Sequence, residues 1–278
     1  MAEHLDFGRF FGDAAPARAI GRVQLCEAVY RRRDRLPSHA HAAPYLSFVV
    51  AGSYVETVGA RQLACETHTL RFHPAGEEHA DVFGAQGAVC MNVELAGDWD
   101  ETLAGLALGD EPVITDAALW PALRLRRAGR YRDVASALAL EEATLELLEF
   151  CSRLARLRRV ASESRSLARA LECVATHMES GAVAISLGEI AAAAGVHVTH
   201  LARLFRQRLH CTVAEHVRSG RLVRAQHQIV ERPEWTLSRI AAEQGFADHA
   251  HFTRTFVRAF DITPSGFRRA AQEEGTAW

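Results

Sequence analysis

The strongest constraint on the fold is an internal repeat near the end of the chain. The first copy is SLGEIAAAAGVHVTHLARLF, residues 186 to 205, and the second is TLSRIAAEQGFADHAHFTRTF, residues 236 to 256. Ile190 aligns with Ile240 at an offset of 50 residues, and Phe205 aligns with Phe256 at an offset of 51. The repeat therefore predicts the same helical unit twice, with one extra residue in the second turn.

Each copy has the local signals of a helix-turn-helix unit. Ser186 and Thr236 provide hydroxyls at the N-cap of a short Ala-rich helix, and Glu189 completes a capping box in the first copy. Gly195 and Gly245 are expected to end this helix, because glycine adopts a positive φ without strain. Small alanines then allow a second helix to cross closely.

Two runs within residues 166–270 are distinctive. The first copy continues as HLARLFRQRLHCTVAEHVRSGRL, and the second contains GFADHAHFTRTF followed by a Thr-Pro turn. In these runs the chain resembles the AraC/XylS family of bacterial transcription regulators. His197 and Val198 stand where the family more often has Ser-Pro, and His216 stands where it usually has an aromatic residue. The resemblance implies two helix-turn-helix units that bind double-stranded DNA sequence-specifically.

The resemblance also implies which residues contact DNA. A helical segment from about 213 to 230 joins the copies, and its length of about 27 Å can set two recognition helices in successive major grooves roughly 34 Å apart. Arg203 and Arg254 are expected to contact guanine, each worth about 1–3 kcal/mol of discrimination. The alternative is that these arginines only solvate their helix faces. The expected base-reading residues are Thr199, Ala202, Arg203, His249, Ala250 and Arg254, and the expected phosphate contacts are Arg206 and the backbone amides at Ser186 and Thr236.

The first part of the chain has a strand-like pattern. From about residue 20 to 95, short runs rich in Val, Leu, Phe and Thr alternate with Gly, Pro or polar residues, which predicts an all-β sandwich or barrel with mainly antiparallel pairing. The motifs LPSHAHAAPYLSFVVAGSY and FHPAGEEHAD resemble a cupin-like sensor domain. On an extended segment His39 and His41 point to the same face, toward His79. We expect an effector pocket that contains these three histidines and Tyr45.

The same motifs raise the question of a metal. Metal-binding cupins also have a carboxylate a few residues after the second histidine of the first motif, and Tyr45 stands there in this chain. The ligand set implied by the resemblance is therefore three imidazoles, His39, His41 and His79, with Glu77 or Glu78 as a remote reserve. Three neutral imidazoles can bind zinc, iron, nickel or copper. The alternatives are a metal-free pocket for a small molecule and a purely structural role for the histidines.

The pattern becomes helical from about residue 117. Residues 140 to 160 space Leu145, Leu148, Leu154 and Leu157 at helical steps and predict an amphipathic helix that packs on the β-rich domain or on a second copy of the chain. We expect an α+β multidomain protein with an N-terminal antiparallel β cupin-like barrel and a C-terminal all-α domain. The predicted domains are 1–112 (cupin-like, ligand-sensing), 113–165 (helical connector, dimerising), 166–271 (DNA-binding) and 272–278 (tail).

Composition is consistent with this division. The formal net charge is −2, but residues 1–110 carry 9 arginines and 15 acidic residues, whereas residues 166–270 carry 13 arginines and 9 acidic residues. A basic C-terminal part fits a DNA partner. The six cysteines form no Cys-x-x-Cys pair, so we expect them to be reduced and buried. No window approaches the roughly 18 apolar residues of a membrane span, and the first residues are charged, so we expect a cytoplasmic protein without membrane contact.

These features favour a transcription regulator whose N-terminal β-domain binds a small-molecule effector. We expect no enzymatic activity and no cofactor other than, as one alternative, a divalent metal. The expected partners are double-stranded DNA, the effector, RNA polymerase and a second copy of the chain. The alternative function is a cupin-type, metal-dependent oxygenase or isomerase fused to a DNA-binding module. A structural nucleoid protein fits less well, because an acidic domain is attached to a modestly basic one.

Overall fold

The first part of the chain folds into β structure, as the sequence predicts. The computed structural model describes residues 2–14, 18–20, 22–97, 99–106, 108, 113–114, 118–129, 134–180 and 185–273. They divide into two compact units: the first, here called the β unit, runs up to Ala155, and the second, here called the helical unit, begins at Arg156. The strands of the first unit are β1 (Glu3–Leu5), β2 (Asp13–Ala14), β3 (Arg18–Ile20), β4 (Val23–Tyr30), β5 (His39–His41), β6 (Tyr45–Val58), β7 (Arg61–Glu66), β8 (Thr69–His73), β9 (Ala80–Leu95) and β10 (Val113–Ile114).

The main sheet has the strand order β10-β8-β6-β9-β4-β2, with β3 also paired to β4 and β7 to β6. All of these described pairings are antiparallel, and only β1 with β5 is parallel. The prediction of mainly antiparallel pairing is therefore confirmed. The long β6–β9 pairing is interrupted by bulges near Gly52, whose φ of 82° and close approach to the Gly87 carbonyl leave no room for a side chain.

One face of the sheet is covered by helices. They are α1 (Asp100–Ala104), α2 (Leu119–Ala128) and the first part of α3 (Val134–Glu163). The core between sheet and helices includes Phe48, Met91 and Trp99. On β8, Leu70 and Phe72 belong to this core, whereas Arg71 and His73 point to the opposite face because side chains alternate along a strand.

The buried face of α3 differs from the leucine stripe expected from the sequence. Leu148 is fully buried, but Leu145 is 38% exposed and Leu154 and Leu157 are only half-buried. Small and polar residues at helical spacing form part of the buried face. The prediction considered only the leucines and therefore did not include these residues. The buried positions between residues 140 and 160 are Leu140, Ala143, Thr144, Leu147, Leu148, Cys151 and Val160.

The second unit is helical throughout its described residues. Ser164 follows α3 and is the N-cap of the next helix. The connector 113–165, which was predicted to be helical, also contains the short strand Val113–Ile114. Among the helices that the structure describes, none has both the length and the apolar character needed to cross a membrane. The remaining helices are α4 (Arg165–Glu179), α5 (Leu187–Ala194), α6 (Val198–Leu204) with a following π-helical turn (Phe205–Leu209), α7 (Val213–Glu231), α8 (Leu237–Glu243), α9 (His249–Phe260) and α10 (Pro264–Glu273).

The capping signals in the repeat are confirmed. The Ser186 hydroxyl accepts a hydrogen bond from the Glu189 amide in a full capping box, and the Thr236 hydroxyl accepts from the Arg239 amide. Gly195 and Gly245 have φ of 67° and 69° and follow α5 and α8. The structure thus contains two similar helix pairs: the first helix pair is α5 with α6, and the second helix pair is α8 with α9.

Helix α7 connects the cores of the two helix pairs. Val213 and Val217 at its start pack with Leu201 and Phe205 of the first core. Leu222, Ala225 and Ile229 further along are also buried, and α7 contacts α8 and α10 of the second half. A chain of aromatic contacts, Phe246–Phe252–Phe256–Phe267, fills the second core.

Candidate functional site

Three histidines meet inside the first unit and form the cluster His39, His41 and His79. His39 and His79 form an antiparallel β-bridge, and their ring centroids lie 4.2 Å apart. The His41 ring centroid lies 5.4 Å from that of His39 and 5.8 Å from that of His79. One nitrogen from each ring lies within 4.8 Å of the others, and all three residues are buried. The sequence expectation that His39 and His41 face His79 is therefore confirmed.

Hydrogen bonds to backbone carbonyls leave the Nε2 atoms of two imidazoles in this cluster as acceptors. The Nδ1 of His39 is 2.9 Å from the Pro37 carbonyl, and the Nδ1 of His79 is 3.0 Å from the Glu77 carbonyl. Nδ1–H donates in both cases, so Nε2 keeps its lone pair. The Nε2 of His79 accepts a hydrogen bond from the Tyr45 hydroxyl at 3.2 Å.

Burial also keeps these rings neutral. It lowers the pKa of His41 to about 4, with His39 as a second cause, and it lowers the pKa of His79 to about 3. The pKa of His39 is lowered for the same reason. The buried Nδ1 of His41 has no hydrogen-bond partner among the described residues. Neutral imidazoles with available lone pairs form a donor set that can bind a transition metal.

A buried arginine network lies beside the cluster and was missed by the sequence analysis. Arg71 donates from Nη1 to Glu56 Oε1 at 2.9 Å and from Nη2 to Glu77 Oε2 at 2.7 Å, and it also contacts His73. The Arg71 and Glu56 side chains are both 0% exposed. Burial raises the pKa of Glu56, and the neighbouring Arg71 opposes that shift. The available signal was the alternation in TLRFH, where the polar residues Thr69, Arg71 and His73 alternate with the apolar Leu70 and Phe72.

This network distinguishes two groups of potential ligands. Glu56, His73, Glu77 and His79 also have atoms within 4.8 Å of one another. However, the Arg71 guanidinium already lies between the two carboxylates and neutralises them. On His79, which both groups share, Arg71 acts only through its charge, which adds to burial in lowering the pKa of that imidazole. Among the described residues no hydrogen bond joins a guanidinium to His39, His41 or His79, so the cluster of these three histidines is the better candidate for a metal.

The cavity at the cluster is small. Its volume is about 20 Å³, which is room for one water molecule or one ion, whereas pockets for drug-sized ligands are roughly 300–1,000 Å³. Phe10 and Phe11 cover it from the N-terminal segment. Their ring centroids lie 4.6 Å from that of His41 and 4.9 Å from that of His39, respectively. A larger effector would require these rings to move.

The residues expected to contact DNA lie on the helix pairs of the second unit. Thr199 and Arg203 are exposed on α6, and His249, Ala250 and Arg254 are exposed on α9. Arg203 donates from Nη2 to His200 Nδ1 at 2.9 Å. Ala202 is half-buried, and together with the exposed Arg206 it lines a cleft on another face of α6. Ser186 and Thr236 lie at helix N-termini, as expected.

The histidines of the repeat have local structural roles. Asp248 caps α9 by accepting from the His251 amide, and the His251 ring packs edge-on against Phe246 at 5.5 Å while His249 is exposed. His197, where Ser is more usual, caps α6 by accepting from the Thr199 amide. His216, where an aromatic residue is more usual, packs its ring against Phe205 at 5.7 Å. His197 and His216, which depart from the family pattern, therefore each make a local contact in this structure.

Comparisons with known proteins agree with the repeat. Residues 190–270 match the family described as helix-turn-helix domain. A probable transcription factor, PqrA of Proteus vulgaris, is 37% identical over 92 residues, which is 33% of this chain and 71% of PqrA.

Solved structures give likenesses over part of the chain. A transcriptional regulator with an AraC-type DNA-binding domain from Chromobacterium violaceum is 25% identical, with a TM-score of 0.36, over 42% of this chain and 99% of its own. A cupin superfamily protein from Desulfitobacterium hafniense is 16% identical, with a TM-score of 0.28, over 32% of this chain and 84% of its own. At these TM-scores neither structure supports a conclusion about this chain.

Proposed function

This chain belongs to the AraC/XylS family of DNA-binding transcription regulators, and we propose that it reads two adjacent DNA half-turns under the control of an effector bound in its β unit. The observation that carries the proposal is that two similar, N-capped helix pairs are joined by one helix, α7. One relative of this chain, PqrA of Proteus vulgaris, is described as a probable transcription factor, which supports a regulator rather than an oxygenase or isomerase.

The two helix pairs act as helix-turn-helix units. Helix α7 has 19 residues, and a helix of this length spans about 28 Å, close to the roughly 34 Å between successive major grooves. The exposed positions of Arg203 and Arg254 support a base-reading role for both, with the exposed Thr199, His249 and Ala250 beside them. Ala202 is half-buried at the cleft, so its position supports the predicted base-reading role less than the other five do. Arg206 and the amides at Ser186 and Thr236 hold phosphates and set the register.

The β unit holds a divalent transition metal at His39, His41 and His79. Three observations support this proposal: fixed tautomers at two rings, an orphaned nitrogen on the third, and a cavity of ion size. A metal with three protein ligands supplies an open coordination position for a small donor molecule. Tyr45 and the rings of Phe10 and Phe11 limit the size of that molecule.

Control requires that the ligand favours one of two states of the protein. We place dimerisation on the connector, residues 113–165, where Val134 and Leu138 of α3 are 78% and 63% exposed. Large exposed apolar residues on one helix face support burial against a second copy. The division into domains 1–112, 113–165 and 166–271, and a contact with RNA polymerase, belong to the same proposal.

The DNA-binding part is tested by genome-wide mapping of bound DNA, followed by binding of purified protein to a mapped site. We expect a recurring sequence with two half-sites about one helical turn apart. Binding without any sequence preference would contradict the proposal. The genes beside the bound sites would indicate the effector.

The metal is tested by metal analysis of protein purified without an affinity tag. We expect close to one transition metal ion per chain, lost in His39→Ala/His41→Ala and retained in the control His4→Ala/His227→Ala, whose histidines lie outside the cavity lining. Metal content that does not depend on His39 and His41 would contradict the site.

A further inference from the structure

A second, much larger cleft lies inside the helical unit, between the two helix pairs. Its volume is about 440 Å³, within the range of small-molecule pockets, whereas the cavity at the histidines has about 20 Å³. Its apolar wall includes Leu187 and Ile190 of α5, Val213 and Val217 of α7, and Phe246 before α9. Leu187 is 38% exposed, which leaves part of this wall in contact with water. An occupant with an apolar body would cover it.

The polar lining of this cleft is cationic. Arg206 follows α6, and Arg218 and Arg221 lie on α7, where Arg221 also donates to the Gly245 carbonyl at 3.5 Å. The described lining residues include no Asp or Glu. Glu215 lies outside the lining, but its pKa is lowered by hydrogen bonds at its helix N-cap and further by the charges of Arg218 and Arg206. With three lining guanidinium groups against this one carboxylate, the cleft remains cationic and complements an anion that carries an apolar body.

The cleft is also in contact with both predicted recognition helices. Ala202 and Arg206 face it from the first helix pair, and His251 faces it from α9. These residues are neighbours of Arg203 and Arg254 on the same helices. An occupant would therefore touch α6, α7 and α9 together, and its size would affect the spacing of the two helix pairs.

We propose that the cleft between the two helix pairs binds a small monocarboxylate with an apolar body, and that this second ligand adjusts the spacing with which the protein engages DNA. DNA phosphates are the competing occupant. The recessed apolar wall favours the small molecule, because a phosphodiester backbone would leave that wall uncovered. The binding step stands independently of the proposed function, whereas its effect on DNA rests on it.

The test is titration of the full-length protein with 4-phenylbutyrate by calorimetry, without DNA. We expect one binding site per chain, and binding at least about fivefold weaker for the neutral analogue 4-phenylbutan-1-ol, because the arginine contact is lost. Arg218→Gln should weaken binding about five- to tenfold for the same reason.

Two tryptophan substitutions locate the site. Ala214 is exposed on α7 and lines the cleft, so Ala214→Trp should fill it and weaken binding by at least about tenfold. Ala193 is exposed on α5 outside the lining, so Ala193→Trp is the matched control and should bind as the wild type. Circular dichroism and an unchanged melting temperature confirm that both variants are folded.

Four results would overturn the proposal. They are absence of binding up to about 5 mM, where a site of millimolar affinity would be mostly filled; equal weakening by both tryptophan variants; equal affinity for the acid and the alcohol; and loss of binding in His39→Ala/His41→Ala with retention in Ala214→Trp. If Ala214→Trp weakens DNA binding while no variant binds 4-phenylbutyrate, the cleft belongs to DNA. If 4-phenylbutyrate binds as expected and DNA binding is absent, only the proposed function fails.

Discussion

Tyr45 stacks on His73, with 4.1 Å between the ring centroids and 5° between the ring planes. The two residues are register partners on β6 and β8, and the Tyr45 hydroxyl donates to His79. Tyr45 stands where the cupin resemblance implies a carboxylate, and in the structure it forms a wall of the cavity. The imidazoles are therefore held by ring packing and a neutral hydroxyl.

Tyr45→Phe should retain the metal, because the three imidazoles remain and the ring still stacks on His73. Loss of one hydrogen bond should lower the free energy of unfolding by about 1 kcal/mol, measured by urea denaturation of metal-free protein. Tyr45→Ala should cost more, about 3–5 kcal/mol, because it leaves a cavity. Loss of metal in Tyr45→Phe would mean that the phenol oxygen is itself a ligand.

Arg71→Met should destabilise the β unit by about 3 kcal/mol, because it leaves the buried Glu56 carboxyl without its cation. The double variant Arg71→Met/Glu56→Gln should recover at least about 1 kcal/mol of this loss, since no ionisable group then stands at Glu56. Urea denaturation at neutral pH measures both changes.

The matched control for Arg71 is an exposed ion pair. Arg31 and Asp13 lie 3.2 Å apart with side chains 75% and 69% exposed, so Arg31→Met should change stability by less than about 1 kcal/mol. An equal decrease in the free energy of unfolding in Arg31→Met and Arg71→Met would show that the buried ion pair of Arg71 stabilises the protein no more than the exposed one.

The Arg71–Glu56 contact and the helix caps of the repeat differ in how far they could be predicted from the sequence. Ser186, Glu189 and Gly195 act on backbone within a few residues, so their positions in the sequence predict the ends of α5 directly. Arg71 on β8 lies opposite Ser47 of β6, whereas Glu56 lies nine residues further along β6, opposite Leu63 and Asp81. Their contact therefore depends on the arrangement of the whole sheet and not on one pair of neighbouring residues.

The histidine cluster falls between these cases. His39 and His41 follow from alternation along one strand, but their contact with His79 was expected only from the cupin resemblance. The coverage by Phe10 and Phe11 carried no local signal, because a terminal segment can cross a sheet at many places. The buried face of α3 was predicted incompletely, because Ala143 and Thr144 contribute to it without being large or apolar.

Arg203→Ala and Arg254→Ala should each relax the preference at one base pair of the operator and cost about 1–3 kcal/mol of binding to the preferred sequence. Arg206→Ala should instead weaken all sequences similarly and reduce the salt dependence of binding by about one unit of slope. Competition binding with operator variants at several salt concentrations separates the two patterns. Uniform weakening by Arg203→Ala would contradict its base-reading role.

Phe256→Ala should destabilise the helical unit by about 3–5 kcal/mol, because Phe256 is fully buried against Phe252, Phe260 and Phe267. Phe7→Ala is the comparison, since Phe7 is 42% exposed and its loss should cost less than about 1 kcal/mol. Urea denaturation followed by circular dichroism measures both. Similar costs for the two would mean that the aromatic contacts around Phe256 contribute little.

Helix α7 contributes buried residues to the cores of both helix pairs, so its length determines an angular phase as well as a distance. Inserting one residue near Ser219 would advance the second pair by 1.5 Å but turn it about 100° around the helix axis. Substitutions on α6 and α9 can change which bases are preferred one at a time. A change of half-site spacing requires nearly whole helical turns in α7, so operator spacing should diverge far more slowly than operator sequence.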